Sequence, residues 1–201
     1  MKATRLLLAS LIALSAGASV HATIIVVDAN TVNIAPTGRL NIQINALIVR
    51  TSPFAQIYGY VVTGYNDGAW DGFGIRSSTA TGDPLQITAV GCISNAEAGY
   101  ADFLGHPTPT GLETFVRGTY YGDTNLDGEI DAADYARITP GGTDWYHGDF
   151  NYDGVVNAAD YALFNHSANL LGVTVPEPAS AALLGLGTLL LAARRRRRRR
   201  F

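Results

Sequence analysis

The sequence predicts a mostly β body, a sandwich or a fragment of β-solenoid, followed by a small loop–helix module and a C-terminal transmembrane helix. Three observations predict it. Short β-branched or alternating apolar runs, separated by Gly, Asn, Asp and Pro, fill residues 23–118. Two acidic stretches, GDTNLDGEIDAADYARI and GDFNYDGVVNAADYALF, repeat with an offset of 26 residues between Asp123 and Asp149. A Leu-rich segment, 179–193, runs into seven arginines, Arg194–Arg200. The boundaries that follow are 1–22 for a leader, 23–118 for the β-rich module, 119–168 for the repeated module, 169–178 for a linker, and 179–201 for the apolar helix with its basic tail.

The leader has a basic start (Lys2, Arg5), an apolar run (Leu6–Leu14) and a small-residue finish that suits cleavage after Ala22. This is the anatomy of a secretory signal peptide, and the apolar run is short for a membrane anchor. The net charge of −3 over 201 residues conceals a split. Between Thr23 and Val175 there are five arginines, no lysine and sixteen acidic residues. So acidic a body excludes a nucleic-acid footprint, which needs the opposite sign. The single cysteine, Cys92, excludes an intrachain disulfide framework.

Within the body, Thr23–Val27 is β-branched, and Leu40, Ile42, Ile44 and Ala46 alternate with Asn41, Gln43 and Asn45. That alternation is the period of a half-buried strand. Further strands are expected over Ile57–Thr63, Leu85–Val90 and Glu113–Tyr121. The turn-rich segment holding Asn66, Asp67, Trp70 and Asp71 has two readings. An exposed Trp beside carboxylates can stack on a sugar ring, whereas Asn-Asp-Gly and Asp-Gly also make tight turns with Trp70 packed beneath.

The spacing of the repeated acidic stretches carries the chemistry. Calcium takes six to eight oxygen ligands, supplied in an EF-hand loop from positions 1, 3, 5, 7, 9 and 12, with Gly at 6 for the sharp turn. In the first copy these are Asp123, Asn125, Asp127, Glu129 through its backbone carbonyl, Asp131 and Asp134, with Gly128 at the turn. In the second they are Asp149, Asn151, Asp153, Val155 through its carbonyl, Asn157 and Asp160, with Gly154. Two Ca2+ ions are therefore expected. The competing reading is a pair of Asx-rich turns without metal, since Asp, Asn and Gly favour turns in any case. Position 8 is apolar in both copies, Ile130 and Val156, as expected if the loops pair back to back. The segments before each loop do not read as helices, and the Ala-Ala-Asp-Tyr-Ala segments after them do.

A duplicated loop–helix unit without its entering helix resembles the dockerin type I repeat over about 123–166. The resemblance implies calcium binding and docking onto cohesin modules of polysaccharide-degrading assemblies. Positions 10 and 11, where that family places a hydroxyl pair, are Ala132-Ala133 and Ala158-Ala159 here. The segments TGYNDGAWDGFGIRSSTA and TYYGDTNLDG resemble the C-terminal module of long extracellular β-helix, autotransporter-like proteins of planctomycete-type bacteria, over about 47–166. Finally, Pro176-Glu177-Pro178, the apolar segment and the arginine cluster resemble the PEP-CTERM sorting tail. This last resemblance implies recognition by an exosortase-type membrane protease and delivery to the cell envelope, anchored in the membrane or released outside after processing.

No catalytic constellation is legible. G-x-S-x-G and H-E-x-x-H are both absent, and His106, His147 and His166 have no ligand-like spacing. The sequence thus points to an exported, calcium-stabilised, non-enzymatic envelope protein. The alternatives are a dockerin-type adaptor on a surface complex and a carbohydrate-active protein of polysaccharide catabolism.

Overall fold

A computed structural model of the chain describes residues 25–173. The leader and the C-terminal helix expected from sequence lie outside the described residues, among which no helix is long and apolar enough to cross a membrane. In chain order the elements are β1 (Val26–Ala29), β2 (Arg39–Asn41), β3 (Ala46–Val49), α1 (Phe54–Tyr65), β4 (Gly74–Arg76) and α2 (Ser78–Thr81). They continue with β5 (Thr88–Ser94), α3 (Asn95–Ala98), β6 (Asp102–Phe103), β7 (His106–Pro107), β8 (Thr114–Tyr120) and α4 (Ala132–Arg137). A 3-10 turn over Trp145–His147 and α5 (Ala158–Leu170) complete the described chain.

The body is organised on one mixed sheet of order β1-β3-β8-β5, not on the two stacked sheets of a sandwich or the coils of a solenoid. β1 runs parallel to β3, and β8 is antiparallel to both β3 and β5. Two short ribbons, β2 with β4 and β6 with β7, stand beside it. Cross-strand partners share a face. Leu47, Val116 and Cys92 therefore lie on one side of the sheet, and Ile48, Phe115 and Ile93 on the other. All six are buried. The Cys92 thiol is free, and burial pushes its pKa upward.

Two expected strands differ from the structure. Ile57–Thr63 is the middle of α1, not a strand. Its buried residues, Ile57, Val61 and Gly64, fall at helical spacing on one face. Pro53 opens this helix, and Asn66, left-handed at φ 45°, ends it. β-branched Val61, Val62 and Thr63 give the segment a strand-like composition, but packing onto β4 and β5 decides for the helix. The alternating run over 40–46 is divided. Gln43 is left-handed at φ 55°, and the Asn45 N–H donates back to the Ile42 carbonyl at 2.9 Å. β2 thereby joins β4 while β3 enters the main sheet. The β8 expectation holds, and β5 begins at Thr88, after Asp83 has gathered the N–H groups of Leu85, Ile87 and Thr88.

The buried core is continuous from Ile42 to Ala168. The repeated module packs onto the sheet at β5, whose outer edge is otherwise unpaired. There the Tyr152 hydroxyl donates to the Val90 carbonyl at 2.6 Å. A covered edge cannot template pairing with another chain. Gly91, in the middle of β5, admits the module: a Cβ there would lie 2.4 Å from Leu126 and 2.6 Å from the Trp145 indole nitrogen.

Candidate metal centre

β8 ends at Tyr120 and delivers the chain directly into the first loop, while the 3-10 turn delivers it into the second. Neither loop is entered by an α-helix, and α4 and α5 follow them. The two loops have the same backbone. Leu126 and Tyr152 are left-handed at φ 59° and 56°, and Gly128 and Gly154 at φ 95° and 89°. Glycine at these last two positions meets the positive φ without a Cβ clash.

Most hydrogen bonds of the first loop recur in the second at the same offset. Asp123 Oδ1 accepts from the Asp127 N–H at 3.1 Å and its Oδ2 from the Gly128 N–H at 2.9 Å. Asp149 accepts from Asp153 and Gly154 at 3.2 and 3.0 Å. Asn125 and Asn151 each accept from the N–H two residues on and donate to the following Asp. Asp127 accepts from the Glu129 N–H and Asp153 from the Val155 N–H, both at 2.9 Å. Asp134 and Asp160 close the loops. Each spends Oδ2 on the N–H of residue 131 or 157 at 2.9 Å, and Oδ1 on two N–H groups at the loop's start. Asp131 and Asn157 are N-caps of α4 and α5, each in a capping box.

Four of these carboxylates, Asp123, Asp134, Asp149 and Asp160, are 0 % exposed. Among the described residues none of the four has a Lys, Arg or His within ion-pair distance. Burial pushes Asp123 up to about 7, against the Thr119 hydroxyl bond, and the neighbouring Asp134 and Asp127 push the same way. Burial also raises Asp134 and Asp149 above the usual carboxylate range. A buried anion without a partner is costly, and a cation or a proton relieves it.

The donor set fits calcium in kind. It is all oxygen, from carboxylates, side-chain amides and the carbonyls of Glu129 and Val155, as a hard cation requires. Closure is incomplete, because in neither loop do three carboxylates bring oxygens within 4.8 Å of one another. That degree of convergence occurs instead at Glu97, Asp144 and His147. Asp144 Oδ1 there holds the His147 ring at 2.8 Å and accepts from the His147 N–H at 3.1 Å. Sequence spacing does not show this cluster, because Glu97 arrives from α3.

The expected back-to-back pairing of Ile130 with Val156 is not made. Val156 exchanges backbone hydrogen bonds with Gly141 and Gly142, while the Ile130 side chain lies against Gly122, near Phe164. The glycine-containing turn between the copies occupies the position a second loop would take. The repeats meet through their helices instead, where the equivalent Tyr135 and Tyr161 rings lie 6.4 Å apart. Ala132, Ala133, Ala158 and Ala159 are all exposed at the helix starts.

The body braces the two loops unequally. Around the first, the Arg117 guanidinium donates to the Leu126 carbonyl and Tyr100 to the Asn125 carbonyl at 3.0 Å. Trp145 Nε1 donates to the Asp123 carbonyl at 2.6 Å, and the Thr119 hydroxyl donates to the Asp123 carboxylate. Around the second, Tyr58 reaches Asp149 Oδ2 at 3.4 Å. None of these braces is legible as a site residue, although a lone Arg inside the apolar run of β8 is a signal in hindsight. The sugar-stacking reading of Trp70 is overturned: the ring is 1 % exposed, and its Nε1 donates to the Tyr121 hydroxyl at 2.9 Å. Asn66 Nδ2 donates to Asp71 at 2.8 Å, as the turn reading requires.

Residues 174–199 match the PEP-CTERM protein-sorting motif. No curated protein and no solved structure matches the chain. The comparisons do not support the resemblance of 123–166 to dockerin repeats or of 47–166 to the β-helix module. The motif defines the class: an exported protein with a sorting tail recognised by exosortase, a membrane processing enzyme, and associated with the cell envelope.

Proposed function

We propose that this chain is a non-enzymatic cell-envelope protein whose body is closed by two calcium ions before or after its tail is processed. The observation that carries the calcium reading is the set of four fully buried carboxylates without an ion-pair partner, placed identically in two copies. Asp123, Asn125, Asp127, Glu129, Asp131 and Asp134 would hold one ion, and Asp149, Asn151, Asp153, Val155, Asn157 and Asp160 the other. Calcium supplies compensating charge where the body offers mainly backbone N–H groups. The chain's own residues set the loop backbone, exclude water from Asp123 and Asp149, and fix the starts of α4 and α5. The non-enzymatic reading rests on the absence of a catalytic constellation in the sequence.

Calorimetric unfolding of the full chain in calcium and in EDTA tests the reading, with magnesium as the control cation. At about 100-fold excess over the dissociation constant each site adds about 2.7 kcal/mol, so a large upward shift of the midpoint is expected. Equal midpoints in calcium and EDTA reduce the loops to metal-free Asx turns. A second reading is an adaptor that docks through the loops, in which the exposed Ala132, Ala133, Ala158 and Ala159 stand where the dockerin family places a hydroxyl pair. Calcium-dependent capture of a cohesin module separates it from the first.

A further inference from the structure

A cavity of about 180 Å³ opens between β8, the segment around Ser77–Thr79 and the first loop. It is several times the roughly 30 Å³ share of one water. Its wall includes Arg117, Gln43, Thr79, Thr88, Thr119 and Gly128, and no Asp or Glu. Arg117 is the only charged residue of that wall and is 6 % exposed. Its Nε is buried and has no hydrogen-bond partner. An orphaned buried donor on a charged group is costly and calls for a missing acceptor.

The chemistry of the other wall groups narrows the ligand. Thr88 and Thr119 already donate their hydroxyl protons to Asp83 and Asp123. With Arg117 Nη1 held by the Leu126 carbonyl, the uncommitted donors are Arg117 Nε, the Gln43 side-chain amide and the Thr79 hydroxyl, the last two without a side-chain partner among the described residues. A planar fork with two neutral donors and no carboxylate suits an oxyanion.

The cavity also shares its wall with the first loop. Gly128 belongs to both, and a Cβ on it would lie 2.4 Å from the Arg117 guanidinium. The carboxylates of Asp123 and Asp127 act on the Arg117 charge from the loop side. Without a cation in the loop they oppose an anion in the cavity. A calcium ion there cancels that opposition and leaves Arg117 uncompensated.

We propose that this cavity is a binding site for a small oxyanion, held by Arg117, Gln43 and Thr79, and that calcium in the first loop strengthens it. The second half of the proposal rests on the calcium reading above. By linkage the effect is reciprocal, so the oxyanion tightens calcium by the same factor.

The test is isothermal titration of the full chain with sodium sulfate, and separately with sodium acetate, at ionic strength matched with chloride. Each is done calcium-saturated and in EDTA, after a calcium titration of the same preparation. Saturable sulfate binding is expected, at least about fivefold tighter with calcium, the low end of typical couplings. Acetate binding alongside sulfate identifies carboxylates as a further source, and acetate binding alone makes them the only one. Thr79→Val, a conservative change on an exposed residue, should weaken sulfate several-fold and leave calcium affinity in chloride unchanged. Arg117→Lys should abolish sulfate binding if the chain folds.

Absence of sulfate and acetate heat in both conditions overturns the site and leaves the cavity to water. Unchanged sulfate affinity in Thr79→Val also overturns it. Equal affinities with and without calcium, in a chain that binds calcium, overturn the coupling. Absence of calcium binding with sulfate binding intact overturns the calcium reading and spares the site.

Discussion

Replacing Gly91 by alanine tests whether the repeated module is seated on the sheet. The added methyl would meet Leu126 Cδ2 at 2.4 Å and Trp145 Nε1 and Cε2 at 2.6 and 2.7 Å. Trp145 cannot step aside freely. It is 0 % exposed, its ring packs on Phe150 and Tyr152 at 5.1 and 5.6 Å, and its Nε1 holds the Asp123 carbonyl. Overpacking of this kind costs about 1–3 kcal/mol. Losing the indole hydrogen bond adds about 0.5–1.5 kcal/mol. Restricting the unfolded chain with alanine returns about 0.4–1 kcal/mol. The balance is a loss of about 2 kcal/mol. With a urea slope of about 1–3 kcal/mol/M, the midpoint should fall by roughly 1 M at unchanged slope. Trp145 emission should shift to the red in the folded state. A variant as stable as the parent, with unshifted emission, would refute the placement of Trp145 and Leu126 over β5.

Other predictions follow from the loops and the core. Asp127 and Asp153 share two side-chain hydrogen bonds, and Asp153 accepts one more, from Asn157 Nδ2 at 3.4 Å, so in EDTA Asp153→Ala should cost as much as Asp127→Ala or slightly more. At limiting calcium Asp127→Ala should cost more, because the first loop offers four carboxylates and the second three. The reverse order in thermal melts would refute the charge-count argument. Tyr121→Phe removes the acceptor of the buried Trp70 N–H and should cost about 1–3 kcal/mol in denaturant unfolding. Glu113 is 0 % exposed. Burial raises its pKa, but hydrogen bonds from Asn95 and Thr110 outweigh this and bring it down to about 2. A depressed folded pKa stabilises the native state above the unfolded value near 4.5 and loses that contribution as pH falls toward 2. Stability should therefore decline across that acid window, and Glu113→Gln should flatten the decline when midpoints are followed against pH.

Local chemistry made the loops legible. The hydrogen bonds between residues of the same loop span at most ten positions, so a 12-position spacing is enough to write the Asx turns, the left-handed glycines and the caps of α4 and α5. The β8 strand is legible because β-branched and aromatic residues dominate Thr114–Tyr120, of which Thr114–Thr119 are buried. What failed depends on distant partners. The segment Ile57–Thr63 has a strand's composition, and its helical identity comes from packing on β4 and β5. The run 40–46 has one period, but its halves serve different sheets. The missing Ile130–Val156 pair was an inference from EF-hand architecture, whereas Gly141 and Gly142 supply the partner actually used. Arg117, Tyr100 and Trp145 reach the first loop only through the tertiary fold.

Helix α5 places Phe164 and Ala168 in the core and ends at Leu170, while the sorting motif begins at residue 174 and Pro176 follows directly. Six residues reach at most about 20 Å when fully stretched. The folded body therefore ends within that reach of the sorting motif. Whatever stiffens the second loop, at the start of that helix, thus also fixes the point at which the folded body hands the chain over to the motif.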